Sequence, residues 1–237
     1  PRRLEDWVRG LGALDEPSST DYACFLSHYK AEAGSDARYL HDLLQRMLQA
    51  KVYLDSVDLV DLSTLFERGV HRSDVIVVLG TANVLTRPWC LLEIWEAYKF
   101  QIPTILLTVV GCGARQFEER DAYQLLSNLE VELERRNPGA LSELLGHLPP
   151  EVSIQDFSRI LIDWLRLGDG KVLSDGSVLA PVRRLKFHPH GSDNTVLADA
   201  TDLVNEMAKL TSREIVWETK RERDAQQRRR DARRAAP

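Results

Sequence analysis

The sequence has few of the features that mark a metalloprotein, a disulfide-stapled domain or a membrane protein. It contains only three cysteines, Cys24, Cys90 and Cys112, and their spacing fits no metal site. An odd number of scattered cysteines also argues against a disulfide framework and indicates a reducing compartment. The longest apolar runs, at residues 74–80 and 104–110, are far too short to cross a bilayer. We therefore expect a cytoplasmic protein with no metal and no membrane span.

Phosphate-binding loops and basic surfaces are also scarce. The glycines form neither a P-loop nor a G-x-G-x-x-G motif. The net charge of −5 does not favour nucleic-acid binding by the surface as a whole. The basic stretch Arg221–Arg234 is interleaved with acidic residues, which is typical of a solvated helix or linker. The chain begins Pro1-Arg2-Arg3 without a methionine or a targeting segment, so we expect a piece cut from a longer protein.

Strand and helix patterns alternate four times between Asp21 and Leu167. Short apolar runs predict buried strands at residues 21–28, 51–55, 74–80 and 102–110. Apolar residues at helical spacing predict helices at residues 35–50, 62–70, 88–100 and 153–167. Ser35 suits a helix N-cap, and Pro88 suits a first helical turn. The alternation predicts an α/β fold, with a flavodoxin-like parallel sheet and helices on both faces.

The organisation predicted for the whole chain has three parts. Residues 1–20 form a short helix and a linker, and residues 21–168 form the α/β domain. Residues 169–237 form a C-terminal extension, in which Asp169-Gly170 and Asp175-Gly176 indicate a hairpin. A helix is predicted at Ala198–Trp217, and the basic tail continues it.

A ligand crevice is expected where the first and third strands end. In open α/β sheets, ligands bind outside the carboxyl ends of the strands, at the point where the winding reverses. The first strand is followed by polar residues, namely Ser27, His28, Tyr29 and Lys30. Gly80 and Thr81 stand at the end of the third strand, and the helix that carries Trp89 and Glu93 comes shortly after them. Polar and aromatic side chains therefore collect where this fold would bind a ligand.

Trp89 and Glu93 are one helical turn apart, so they share a face. An indole beside a carboxylate provides a flat wall next to a charge and tends to raise the carboxyl pKa. Spacing alone favours the more common alternative, in which Trp89 anchors the helix and Glu93 is solvated. By the same reasoning, we interpret His28 as a polar residue at a strand end and Cys90 as a packed thiol. Lys30 fits a phosphate ligand and a solvated lysine equally well.

Several segments, in the right order, resemble a TIR (Toll/interleukin-1 receptor) domain. Asp21–Lys30 resembles its first strand, which ends in Phe-Leu/Ile-Ser, and residues 51–59 resemble the second strand and its loop. Residues 73–97 resemble a third strand after Ser-Asp, followed by a Trp-Cys-x-x-Glu helix, and residues 98–110 match the next strand. The resemblance implies the flavodoxin-like fold and assembly with other TIR domains, with sites often completed by a neighbouring subunit.

A subset of the TIR family cleaves NAD⁺ to nicotinamide and ADP-ribose, or to a cyclised form, in signalling and immunity. Resemblance to this subset implies that NAD⁺ is a substrate rather than a resident cofactor, and that Glu93 is the catalytic residue. The substrate-binding residues expected around it are Ser27, His28, Tyr29, Lys30, Asp55, Thr81 and Trp89. Two departures are visible: Tyr29 stands where an arginine is common, and residues 59–62 lack the glycine usual in the family's loop.

A single carboxylate suits this chemistry, because the nicotinamide of NAD⁺ is a pyridinium that departs neutral and needs no general acid. The second carboxylate of an ordinary glycosidase is therefore unnecessary. Two alternatives to the hydrolase stay open: a non-catalytic TIR interaction module, and another small α/β domain such as a flavodoxin or a response regulator. A response regulator needs an acidic cluster after the first strand, where this chain has His28-Tyr29-Lys30.

Overall fold

The computed structural model describes residues 21–48, 50–54, 66–166 and 182–211. Five parallel strands form one sheet in the order β2-β1-β3-β4-β5. The strands are β1 (Tyr22–Ser27), β2 (Lys51–Leu54), β3 (Ile76–Gly80), β4 (Thr104–Val109) and β5 (Val182–Phe187). This order is that of a flavodoxin-like fold, so the fold class predicted from the alternation is confirmed.

Helices cover both faces of the sheet. They are α1 (Lys30–Met47), α2 (Pro88–Lys99), α3 (Glu119–Ser127), α4 (Leu129–Arg136), α5 (Ala140–His147), α6 (Ile154–Arg166) and α7 (Asp193–Leu210). Helices α1 and α7 pack on one face, while α2, α3 and α6 pack on the other. Successive strand residues point to opposite faces, so Val77 packs in the core under α1 and α7, and Val78 packs in the core under α2, α3 and α6. Burial on both faces explains why these strands read as continuous apolar runs.

Helix α1 begins five residues before the predicted N-cap. Ser35 lies inside the helix, and the turn before it is set off by a kink at Ala33 (φ −130°, ψ 15°). This first turn is fastened by Glu32, whose carboxylate accepts hydrogen bonds from the backbone N–H and the side-chain amide of Asn83. The prediction of Ser35 as the N-cap is therefore wrong. The contact that sets the true start joins residues far apart in sequence, so no local pattern indicates it.

The other helix predictions have mixed outcomes. Pro88 opens α2, as predicted, and α6 matches its amphipathic pattern to within one residue at each end. Of the helix predicted at residues 62–70, the structure describes a π-helical turn at Phe66–Val70. Residues 55–65 lie outside the described residues, as do the predicted N-terminal helix and the basic tail.

The sheet continues beyond residue 168, where the sequence predicts the end of the domain. Strand β5 pairs in parallel with the whole length of β4, from Thr104–Val182 to Val109–Phe187. Both turn signals of the predicted hairpin lie outside the described residues, so the hairpin stays a prediction. Helix α7 begins at Asp193, earlier than predicted, because the hydroxyl of Ser192 accepts from the backbone N–H of Thr195 as an N-cap.

The contribution of β5 can be tested by truncating one buried side chain. Phe187 is 1% exposed, and its ring lies in the core beneath α7. We expect Phe187→Ala to lower the free energy of unfolding by about 3–5 kcal/mol, because it removes an aromatic ring and leaves a cavity. The exposed neighbour Lys186 provides the control, and Lys186→Ala should change it by less than about 0.5 kcal/mol. Equal urea denaturation curves for the two variants would contradict the placement of β5.

Candidate functional site

The winding of the sheet reverses between β1 and β3. Strand β2 lies beyond β1 on one side, and β4 lies beyond β3 on the other, so the carboxyl ends of β1 and β3 border the crevice of this fold. Ser27 ends β1, and Gly80 ends β3. The topological switch point thus lies between the two strands at which the sequence predicted it.

Helix α2 is enclosed on almost every side. It packs against β3, the π-helical turn, α5 and α6. Every residue from Cys90 to Ala97 is buried, including Glu93, which is 4% exposed, and Glu96, which is 7% exposed. The interpretation of Glu93 as a solvated surface carboxylate is therefore wrong. Carboxylates are rarely buried this deeply, because their desolvation is costly.

One face of α2 carries Trp89, Glu93, Glu96 and Phe100, which recur at intervals of four, three and four residues. Near its C-terminal end, Glu96 Oε2 lies 2.9 Å from His71 Nε2, and the Phe100 ring lies 3.9 Å from the His71 ring. His71 directly follows the π-helical turn, which contacts β1, so this face points towards the β1 side of the sheet. Glu93 lies in the middle of this face.

Glu96 has a structural arrangement of its own. Its two carboxylate oxygens are held by His71 at 2.9 Å and by Lys99 Nζ at 2.8 Å. Burial by itself raises the pKa of the Glu96 carboxyl, but the hydrogen bonds and charges of His71 and Lys99 outweigh it and lower the pKa below its ordinary value. The ammonium group of Lys99 also lies 4.2 Å from the centroid of the Trp95 ring. Glu96 thus ties the end of α2 to the segment that enters β3.

The residues after β1 meet the first turn of α2. Phe25 belongs to the core on the α2 side, so the alternation of β1 directs Ser27 to the same face as α2. The thiol of Cys90 donates to the carbonyl oxygen of His28 at 3.5 Å. The guanidinium of Arg87 lies over the ring of Tyr29, 4.0 Å from its centroid. Ser27, His28 and Tyr29 are therefore grouped at the end of α2 that carries Trp89.

Two of the predicted residues stand apart from this group, and a third lies outside the described residues. Thr81 is fully buried, and the alternation of β3 directs it towards the α1 face, away from α2. Lys30 is exposed in the first turn of α1. Asp55 lies outside the described residues. The hydroxyl oxygens of Ser27 and Thr81 are buried and have no hydrogen-bond partner within the described ranges.

Polar contacts between loops hold the crevice in shape. Glu32 in α1 receives both hydrogen bonds from Asn83, at 3.0 and 2.6 Å, and its carbonyl oxygen accepts from Arg115 Nη1 at 3.0 Å. On the other side, the side-chain amide of Asn137 donates to the carbonyl oxygen of Thr86 at 2.9 Å. The loops that follow β3 and β4 are thereby fixed to the start of α1 and to the α4–α5 corner.

Two site residues were missed in the sequence. The ring of His147 contacts that of Trp89, with centroids 4.7 Å apart, so Trp89 is walled by the end of α5. Arg87 stacks on Tyr29, although 58 positions separate the two in sequence. No local pattern reveals either contact. The cation directly before Pro88 at a helix start was the available hint for Arg87.

Two of the three thiols are buried in the described part of the chain. Cys24 is fully buried, and burial raises the pKa of its thiol, an effect that the charge of Asp74 reinforces. Cys90 is 4% exposed and is engaged by His28, which fits a packed thiol. Within the described residues, no three side chains of His, Cys, Asp or Glu converge as a metal site. The described helices include none long and apolar enough to span a membrane.

Comparisons with family models and curated proteins identify no family, so the family prediction rests on the sequence motifs. Neither a protein-family model nor a curated protein matches the chain. The fold and the position of Glu93 are observations, whereas kinship with TIR domains stays a prediction.

The contacts of Glu96 predict a pH-dependent contribution to stability. A carboxyl whose pKa is lowered on folding stabilises the protein above its unfolded pKa, for which the ordinary value is 4.5, and loses this contribution as the pH falls through the folded pKa. We expect Glu96→Gln to lower the free energy of unfolding at pH 7, with the deficit shrinking below about pH 4.5. Urea denaturation of the wild type and the variant from pH 7 to pH 3 measures this difference in the free energy of unfolding. A deficit that does not change with pH would contradict this role.

Proposed function

We propose that the chain is a TIR-type domain that cleaves NAD⁺, releasing nicotinamide and leaving ADP-ribose or a cyclised form. The observation that carries the proposal is Glu93, a carboxylate buried on the same face as Trp89 in α2, the helix whose first turn contacts the residues after β1. Three things support it: the motif resemblance, the confirmed flavodoxin-like fold, and the grouping of Ser27, His28 and Tyr29 with the first turn of α2.

Glu93 has the chemical role of stabilising positive charge. When the bond between ribose C1′ and the nicotinamide nitrogen breaks, its electron pair goes to the pyridinium ring, which leaves neutral. Positive charge then develops on C1′ and the ring oxygen of the ribose. A fixed carboxylate in a site of low dielectric stabilises that charge more strongly than water does. The enclosure of Glu93 therefore suits catalysis.

Trp89 provides the surface for a flat ring. It is half-buried, and His147 supports one part of its indole. An indole held in this way can stack on nicotinamide at little cost in side-chain entropy.

Water attacking C1′ gives ADP-ribose and one proton, whereas attack by a nitrogen of the adenine base gives the cyclic product. In either case NAD⁺ is the substrate and no resident cofactor is needed.

The depth of Glu93 bears on how the activity is controlled. A carboxylate that is only 4% exposed in the single chain must become accessible before a dinucleotide can reach it. We propose that self-association, alone or with other TIR domains, brings this about. The same burial favours a second candidate function, a non-catalytic module that only mediates homotypic assembly. The two functions differ in NAD⁺ turnover, which only the first requires.

Replacing the carboxylate of Glu93 tests the chemistry. We expect Glu93→Gln to reduce nicotinamide release by at least about 100-fold, because the charge that stabilises the ribosyl cation is lost. Glu130→Gln is the control, since Glu130 is exposed on α4, and it should keep wild-type turnover. Chromatography of nicotinamide and of the ADP-ribose product measures both. Turnover of the same rate in Glu93→Gln and wild type would refute the role of Glu93.

Dependence on protein concentration tests the control by self-association. If assembly opens the site, nicotinamide release per molecule should rise with protein concentration and level off once the chain is associated. Sedimentation velocity at the same concentrations gives the associated fraction. A constant rate per molecule over a range in which association changes would contradict this control. Association without turnover in the wild-type chain at any concentration would instead favour the non-catalytic module.

A further inference from the structure

Arg87 is a cation without a carboxylate partner among the described residues. Its guanidinium lies 4.0 Å from the centroid of the Tyr29 ring, and its Nε is buried with no hydrogen-bond partner in those ranges. An aromatic ring holds a guanidinium by its flat face and leaves the N–H groups at the edge available. Arg87 is thus oriented without being neutralised, which is unusual for a half-buried arginine.

Its position adds two features that favour an anion. Arg87 is the N-cap residue of α2, so the positive end of the 12-residue helix lies beside it. Ser27 ends the neighbouring strand β1 and is 1% exposed, and its hydroxyl has no partner among the residues described. The alternation of β1 directs this hydroxyl to the α2 side. A free hydroxyl and a helix N-terminus beside an unpaired guanidinium are together the donors of an anion site.

Charges at the edge of the crevice point the same way. Lys30 begins α1 beside the crevice and Arg115 lies on the loop after β4, and neither forms an ion pair within the described part of the chain. The carboxylate of Glu32, in the first turn of α1, accepts two hydrogen bonds from Asn83. Together with Arg87, these cations outnumber the Glu32 carboxylate at this edge, on a chain whose net charge is −5.

We infer that Arg87, oriented by Tyr29, binds the diphosphate of a dinucleotide substrate. The inference rests on the proposed function, because it places the diphosphate one helical turn and a half from Glu93. Planar guanidinium groups suit phosphate oxygens, to which they donate two parallel hydrogen bonds.

Calorimetric titration with inorganic pyrophosphate and with ADP-ribose tests the inference without requiring turnover. We expect the wild-type chain to bind both, and Arg87→Gln to weaken both by about tenfold or more, because a charge-assisted pair is lost. Arg87→Lys keeps the charge but not the planar contact, so an intermediate loss is expected. Arg38→Gln is the control, since Arg38 is exposed in the middle of α1, and it should bind as the wild type does.

Several results would overturn the inference. These are unchanged binding in Arg87→Gln, an equal loss in Arg38→Gln, and no binding of pyrophosphate by the wild-type chain. Thermal melting checks the fold of each variant; if Arg87→Gln does not fold, unchanged binding in Arg87→Lys overturns the inference instead. Binding through Arg87 without nicotinamide release would support this site and remove the enzymatic proposal. Release of nicotinamide with an unchanged KM in Arg87→Gln would do the reverse.

Discussion

Enclosure of α2 is the constraint on which the rest of the structure depends. The helix lies between the sheet, the π-helical turn, α5 and α6, so nearly all of its side chains must be apolar. Its two carboxylates nevertheless lie inside the protein, where a charge is costly unless the surroundings stabilise it. Glu96 is stabilised by His71 and Lys99, which lock the C-terminal end of α2. That lock fixes the helix face on which Glu93 lies.

The N-terminal end of the same helix carries the opposite charge. Arg87 lies on Tyr29, and Trp89 lies against His147, so α2 begins with a cation and an aromatic wall and carries a buried carboxylate one turn later. A dinucleotide with a negative diphosphate and a positive nicotinamide ring has the complementary order of charges. The match between the two orders connects the fold to the proposed substrate.

The sequence predicted the parts of this arrangement that depend on local pattern. The buried strands were predicted from their apolar runs and the start of α2 from Pro88, because both signals arise within a few residues. The start of α1 was missed because Asn83 holds its first turn. Strand β5 was read as part of an extension because pairing with β4 is non-local. Glu93 was located by its motif, but its burial depends on packing around the whole of α2, and periodicity gave no indication of it.

A complex with an NAD⁺ analogue whose ribose ring oxygen is replaced by carbon tests the account most directly, since this analogue cannot form the ribosyl cation and should stay intact. Crystals of the associated chain should show its nicotinamide against Trp89, the adjoining sugar beside Glu93, and its diphosphate at Arg87. An analogue bound away from the ends of β1 and β3, or no binding when the chain is associated, would contradict the assignment of this crevice as the NAD⁺ site.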